Sequence, residues 1–490
     1  MVIFPVGLLA SSCTVCNSSA MEDSESRQRA VEHGLVPIVR IADHPVHWTI
    51  DERLQHYACP GAAVAVMHDG RLDWAAGYGV RDVDQPGPVG PDTVFMVASC
   101  SKPVTAMLVL QQVERGALDL DTDVNRYLRR WQVPVDEFTS EQPVTLRHIL
   151  SHTAGLTVNG FGVTPRDGRP VATSLDLLNG TPPSAERPVR VDKHYDGTSR
   201  YSGGGYVIAQ FVLEDVLGTD FADLAQTTLF GPLGMTNSTF RHPLPERFHH
   251  DVASGHGDDG RAHAGGWMLS SEMAAGGLFS TARDYATFLL ACRASFHGER
   301  GAPLGRSLAR EMMTRHDRGE FGLGVRVLGN GSTARFNHGG SNDGYQSETN
   351  TYLESGDGAV VLTNATSGLF LYREIHNGIA EVYDWPEYLL TPKRLRTLSD
   401  DEMQRYVGSY RIKIGIELPF IEVWVEDGRL LSQVPGLRFG VQETFCDEHG
   451  VLFQQTGPFE TYVEFGPDGR AQELAVREGA VEFIRAERVS

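Results

Sequence analysis

Between residues 104 and 113 the chain carries Val104, Ala106, Met107, Leu108, Val109, Leu110 and Val113 almost without polar interruption, and Gly116 closes the run. A helix this apolar has no wide face to offer water, so the fold must wrap a core around it. Pro103 suits the first helical turn, where its missing N–H costs little. Ser99 and Lys102 stand just ahead. Residues three apart share a helical face, so the two are expected as neighbours at the helix start. The free N–H groups and positive dipole end there favour an alkoxide or a developing oxyanion.

The lysine is informative because only four of the 43 Lys and Arg residues are lysines, at 102, 193, 393 and 413. Arg keeps its proton in a protein, whereas a desolvated Lys can lose it and act as a base. The other three lysines follow Arg190, Leu390 and Tyr410 at that spacing, so Ser-x-x-Lys occurs once. On spacing alone, a serine cap followed by a surface lysine fits as well. The rest of the chain must choose.

The length of 490 residues allows roughly three domains, or one large α/β domain with a small one. A 41% hydrophobic, 22% charged composition describes a globular chain with ample core. The net charge of −20 argues against nucleic acid and anionic membrane surfaces as partners. Six cysteines (13, 16, 59, 100, 292, 446) are too few and too scattered for a disulfide framework. Cys13-x-x-Cys16 has no second pair or His cluster beside it, so neither zinc nor redox chemistry is expected there. Cys100 is expected as a small buried filler. Residues 2–10 are apolar, but no Lys or Arg precedes Arg27, so the basic region of a signal peptide is missing. The run is also too short to span a bilayer. A poorly ordered leader over 1–44 is expected, with Met21 a candidate start and a cytoplasmic location favoured over a secreted one.

Residues 61–78 form two apolar runs around Asp69-Gly70, a hairpin signal. Helical segments follow to about residue 330. They are interrupted by 157–199, which is rich in Gly, Pro, Asp and Arg and lacks periodicity; a loop that long in a compact domain is usually a functional wall or lid. Strand patterns return near 321–327, 334–337, 346–353 and 359–363, and a helix over 369–382 closes the unit. Strands first, helices in the middle, strands and a helix last: this order implies an α/β (α+β) fold whose antiparallel sheet is completed by both ends of the domain and flanked by helices, beside an all-helical region. Residues 386–400 read as a linker. Over 401–490, short β-rich runs broken by Asp427-Gly428, Gly457-Pro458 and Gly466-Pro-Asp-Gly469 imply a small antiparallel barrel or sandwich.

Two further elements carry candidate chemistry. In Tyr201-Ser-Gly-Gly-Gly-Tyr206 the glycines let backbone approach a ligand or a neighbour closely. A tyrosine beside a lysine cation can serve as a base; a capping turn with an anchoring tyrosine is the plainer reading. In Phe336-Asn-His-Gly-Gly-Ser-Asn-Asp-Gly-Tyr345 small residues follow His338 on an expected strand, where backbone N–H groups can bind a substrate. A hairpin with a surface histidine is the plainer reading there.

Taken in order, Ser99-x-x-Lys102, Tyr201 and His338-Gly-Gly340 resemble the serine β-lactamase and penicillin-binding-protein family, in its class C-like, esterase and D-aminopeptidase branch. Leu150-Ser-His-Thr-Ala-Gly-Leu156 and Met273-Ala-Ala-Gly-Gly-Leu-Phe-Ser-Thr-Ala282 are similar to phrases of the same family. The resemblance covers about 45–385, and the last ninety residues resemble the lipocalin-like barrel appended to some members. It implies a β-lactamase/transpeptidase-like domain in which Ser99 is the acylated nucleophile, Lys102 its general base and Tyr201 a partner in proton transfer. The N–H groups of Ser99 and Ser341, on the strand after Gly340, would form the oxyanion hole, and no metal or organic cofactor is needed. His338, a further candidate catalytic residue, stands where lactamases of the family carry lysine and where its esterases and D-peptidases often carry histidine. Gly340 is expected to line the oxyanion and substrate site with Ser341. The family's Tyr-x-Asn reads Tyr201-Ser-Gly203, without the amide that would hold an acylamino group. Both departures favour ester, amide or D-amino-acid peptide substrates over β-lactams. An acyltransferase, a peptide cyclase or a weak β-lactamase using the same acyl-enzyme are the alternatives. The expected partner is a small ester or short peptide; the oligomeric state is left open.

Overall fold

The computed structural model describes residues 12–414, 420–435 and 440–489, with side chains from Met21 onward except that of Ile414. An N-terminal helix, α1 (Ser12–Glu32), precedes a hairpin of β1 (Gly61–His68) and β2 (Arg71–Gly79). Asp69 and Gly70 both take positive φ at its tip, as a tight two-residue turn requires. The helical region includes α2 (Ser101–Glu114), α3 (Gly203–Leu217) and α4 (Ala282–His297). Four strands follow, β3 (Arg326–Leu328), β4 (Arg335–Asn342), β5 (Tyr345–Tyr352) and β6 (Gly358–Thr363), and then α5 (Gly368–Val382). The sheet order is β2-β1-β6-β5-β4-β3, antiparallel throughout, so the two ends of the domain meet where β1 pairs with β6.

β1 is buried on both faces, which explains its unbroken apolar sequence. Ala62, Val64 and Val66 join a core with α5, whereas Ala63, Ala65 and Met67 join the larger core that surrounds α2. Behind the sheet, Arg53 pairs with Glu374 of α5 through Nε and Nη2 at 2.7 and 2.8 Å, and Tyr57 donates to the same carboxylate at 2.7 Å. That buried charge is fully answered.

The segment expected as a poorly ordered leader, 1–44, is tied down over its second half. Arg27 forms a two-pronged ion pair with Asp73 of β2, and Val31, Leu35, Ile38 and Ile41 enter the core behind the sheet. Apolar burial and a bidentate guanidinium–carboxylate pair, formed across 46 residues of sequence, hold it. Residues 1–11 and the side chains of Cys13 and Cys16, with the readings attached to them, lie outside the described residues. Among the described residues no helix is long and apolar enough to cross a membrane.

The C-terminal strands are β7 (Gly408–Ile414), β8 (Phe420–Glu426), β9 (Arg429–Gln433), β10 (Gln442–Glu443), β11 (Phe445–Cys446), β12 (Leu452–Phe453), β13 (Glu460–Phe465), β14 (Ala471–Glu478) and β15 (Val481–Arg488). Their order, β10-β9-β8-β7-β15-β14-β13-β12-β11, joins the first of them to the last and makes a nearly closed antiparallel barrel. The stretch read as a linker threads between the two units. Lys393 donates to Asp447 and Glu460 at 2.8 and 2.6 Å, and the Lys393 N–H bonds to the Arg40 carbonyl.

Candidate active site

Ser99 is the middle residue of a one-turn helix, Ala98–Cys100, that runs directly into α2. Ala98 takes φ +50, a left-handed conformation that costs a residue with a β-carbon and persists only where its surroundings enforce it. The enforcement is visible. Ser101 Oγ donates to the Ala98 carbonyl at 2.7 Å and accepts the Leu278 N–H at 2.9 Å. From the other side β4 presses on the turn: a β-carbon on Gly340 would lie 2.3 Å from the Val97 carbonyl and 3.1 Å from the Ser99 nitrogen. Only glycine fits there. Cys100 is buried, donates to the His338 carbonyl at 3.3 Å, and has its thiol pushed up to about 12 by burial. It packs and does not ionise, as its expected filler role requires.

Lys102 lies in the first turn of α2 and is 2% exposed. Its Nζ is 3.0 Å from Ser99 Oγ and donates to the Ala275 carbonyl at 2.8 Å. The same nitrogen stands 4.8 Å from the centre of the Tyr201 ring. Tyr201 ends the loop ahead of α3, whose N-cap Ser202 accepts the Gly205 N–H. The three glycines of α3 serve a neighbour rather than a ligand. Side chains there would strike the Asn159 carbonyl at 2.7 Å, Val189 at 2.7 Å and Leu156 at 3.2 Å.

His338 points to the buried side of β4. Its Nδ1–H donates to the Gly339 carbonyl at 2.6 Å, which leaves Nε2 as a bare, buried acceptor. Burial first, and the Lys102 charge second, push this imidazole down to about 3, so it is neutral at pH 7. Its ring lies 6.1 Å from that of Tyr201. His152 braces Tyr201 from another side, with ring centres 4.3 Å apart, and its Nδ1 accepts the Ser202 N–H at 3.1 Å. Burial holds His152 well below the usual imidazole range as well.

Beside this group opens a cleft of about 350 Å³, lined by Ser99, Lys102, Asn159, Glu272, Ser341 and Asp343 among others. Asn159, Gly160 and Gly162 belong to the loop expected to form a wall, and they do line the cleft. Ser341 Oγ accepts from Gln346 Nε2 at 3.0 Å. Sequence reasoning missed Glu272. It is 4% exposed, its carboxyl is pushed up to about 7 chiefly by burial, and the Lys102 charge acts in the opposite direction. It stands two residues before the Ala-Ala-Gly-Gly phrase, and nothing in its local sequence marks it. His152 lay inside a recognised phrase, but its bracing of Tyr201 is a tertiary fact.

Residues 47–383 match the family model described as Beta-lactamase. Esterase EstB from Burkholderia gladioli is 31% identical over 205 residues, which are 40% of this chain and 51% of the esterase. The match therefore spans about half the esterase's length. A penicillin-binding protein of Bacillus subtilis (strain 168) is 23% identical over 449 residues, 86% of this chain and 93% of that protein. Among solved structures, the octameric penicillin-binding protein homologue from Pyrococcus abyssi superposes with a TM-score of 0.60 at 21% identity, covering 89% of this chain and 98% of that one.

Proposed function

The chain belongs to the beta-lactamase family of serine hydrolases, and on that premise we propose that Ser99, Lys102 and Tyr201 cleave ester, amide or D-amino-acid peptide bonds through a Ser99 acyl-enzyme. One observation carries the assignment: Lys102 Nζ is buried 3.0 Å from Ser99 Oγ, with a neutral carbonyl as its other partner. A lysine so placed, in its amine form, takes the Ser99 proton as Oγ attacks the substrate carbonyl. The N–H groups of Ser99 and Ser341 receive the oxyanion; such donors are each worth about 3 kcal/mol in comparable sites. Tyr201, packed on Lys102 and braced by His152, passes the proton to the leaving group, and water then attacks the acyl-enzyme.

The substrate class follows from what the site lacks. His338 is neutral, so it offers no positive charge to the carboxylate of a β-lactam or a peptide C-terminus. Gly203 has no amide to hold an acylamino group. An uncharged ester or amide makes neither demand, and the likeness to an esterase supports this reading.

The test is Ser99→Ala, with short-chain p-nitrophenyl esters, D-amino-acid amides and nitrocefin compared as substrates. Ester or amide turnover is expected in the wild type and its abolition in the variant, together with loss of labelling by a fluorophosphonate probe. Full labelling of the variant would refute the assignment.

A further inference from the structure

Glu272 is a buried carboxylate short of partners. Among the described residues the carboxylate accepts one hydrogen bond, from the Phe161 N–H to Oε2 at a long 3.3 Å. Among the described residues it forms no ion pair, although Lys102 lines the same cleft. An ionised carboxylate has about four acceptor sites, and leaving them empty in a low-dielectric place is costly. Elsewhere in this molecule the cost is met: Glu374, equally buried, takes three hydrogen bonds from Arg53 and Tyr57.

The space around Glu272 is also kept clear. A β-carbon on Gly276 would lie 3.1 Å from Oε1, and one on Gly203 would lie 3.2 Å from Oε2. Position 203 itself is closed by the Asn159 carbonyl, 2.7 Å from such a β-carbon, so the carboxylate's open side is the cleft. That carboxylate opens on the cleft containing Ser99. The second acid of the lining, Asp343, is already engaged with His263 and Thr366 at 3.1 and 3.0 Å. Lys102 is committed to Ser99 and Ala275. What Glu272 lacks is a cation with several N–H donors, and no side chain of the cleft wall supplies one.

We propose that Glu272 receives a protonated amine on the acyl part of the substrate, so that the preferred acyl donors are amino-acid esters and amides with a free amino group. This rests on the Ser99 acyl-enzyme reading and narrows its substrate class. A carboxylate–ammonium hydrogen bond in such a place discriminates strongly, because an uncharged analogue leaves the carboxylate buried and unanswered.

The experiment compares alanine p-nitroanilide, as both enantiomers, with propionic acid p-nitroanilide, the same acyl group without the amine. Wild type is expected to favour an alanine compound about 10-fold or more in kcat/KM. In Glu272→Gln that ratio should collapse towards one. Equal loss on both substrates would overturn the proposal, because Glu272 would then be acting on Lys102. So would a wild type that shows no preference for the amine. Should the variant fail to fold, competition in the wild type decides: propylammonium should inhibit hydrolysis of a neutral ester more strongly than propanol, and equal inhibition overturns the proposal. Fluorophosphonate labelling of Ser99, read by intact mass, separates the two layers. Labelled Ser99 without amine preference defeats this inference alone; unlabelled Ser99 defeats the parent reading with it.

Discussion

Glu374 behind the sheet and Glu272 in the cleft are both carboxylates removed from water, and they are treated in opposite ways. Glu374 meets a bidentate guanidinium and a phenol, and Arg53 is itself stacked 4.0 Å from the centre of the Trp48 ring. Glu272 has one N–H and open space. A charge whose partners are all supplied by the chain holds the fold together; one whose partners are withheld raises the energy of the empty site and is set to meet something that arrives. The same contrast separates the Asp73 pair with Arg27 from the bare Nε2 atoms of His152 and His338 beside Tyr201.

The sharpest break of this contrast is on the cleft side. Lys102→Arg keeps a long basic side chain and much of the bulk but cannot give up a proton. Single-turnover ester cleavage should fall about 10³-fold with little change in melting temperature. A variant within about tenfold of wild type would mean that Lys102 is not the base. Behind the sheet the order reverses. Glu374→Gln leaves Arg53 buried beside a neutral amide, so chemical denaturation should report a loss of about 3 kcal/mol. If urea midpoints coincide, the pair is not holding α5.

Glu272→Gln, besides its loss of preference for the amine, has a signature in stability. Its carboxyl is raised from an ordinary 4.5 to about 7 in the fold. Between those values the native state holds more protons than the unfolded chain, so stability falls as pH rises through that window. Removing the group should flatten that slope and stabilise the protein at pH 8, on the order of 1–3 kcal/mol. Melting curves of wild type and variant with the same pH slope would show that Glu272 is not an unanswered charge. Smallest of all, Lys393→Met should cost about 1 kcal/mol by depriving Asp447 and Glu460 of their shared cation, with kcat on a short ester unchanged. A change in kcat would connect the barrel junction to the cleft.

The features legible in the sequence depend on neighbours in the chain. Ser99 and Lys102 are three residues apart on one helical start, Asp69-Gly70 is a two-residue turn, and the barrel announces itself by turn residues at short intervals. The order of the later part of the N-terminal segment depends on partners elsewhere in the chain: Arg27 finds Asp73, and Leu35 exchanges backbone hydrogen bonds with Trp48. The Gly203 run was read correctly as a close approach, but whether a ligand or a neighbour approached could not be told. That depended on where Asn159, Val189 and Leu156 packed.

Residue spacing alone places Ser99 and Lys102 together at the start of a buried helix, and the order of strand and helix patterns implies one sheet completed from both ends of the domain. Periodicity and spacing suffice for that, because they act within a few residues. It takes long-range packing to make His338 neutral, to brace Tyr201 with His152, and to turn Glu272 to the cleft with its acceptors unfilled. Desolvation and missing partners are properties of a packed environment, assembled from segments 50 to 111 residues apart in the chain.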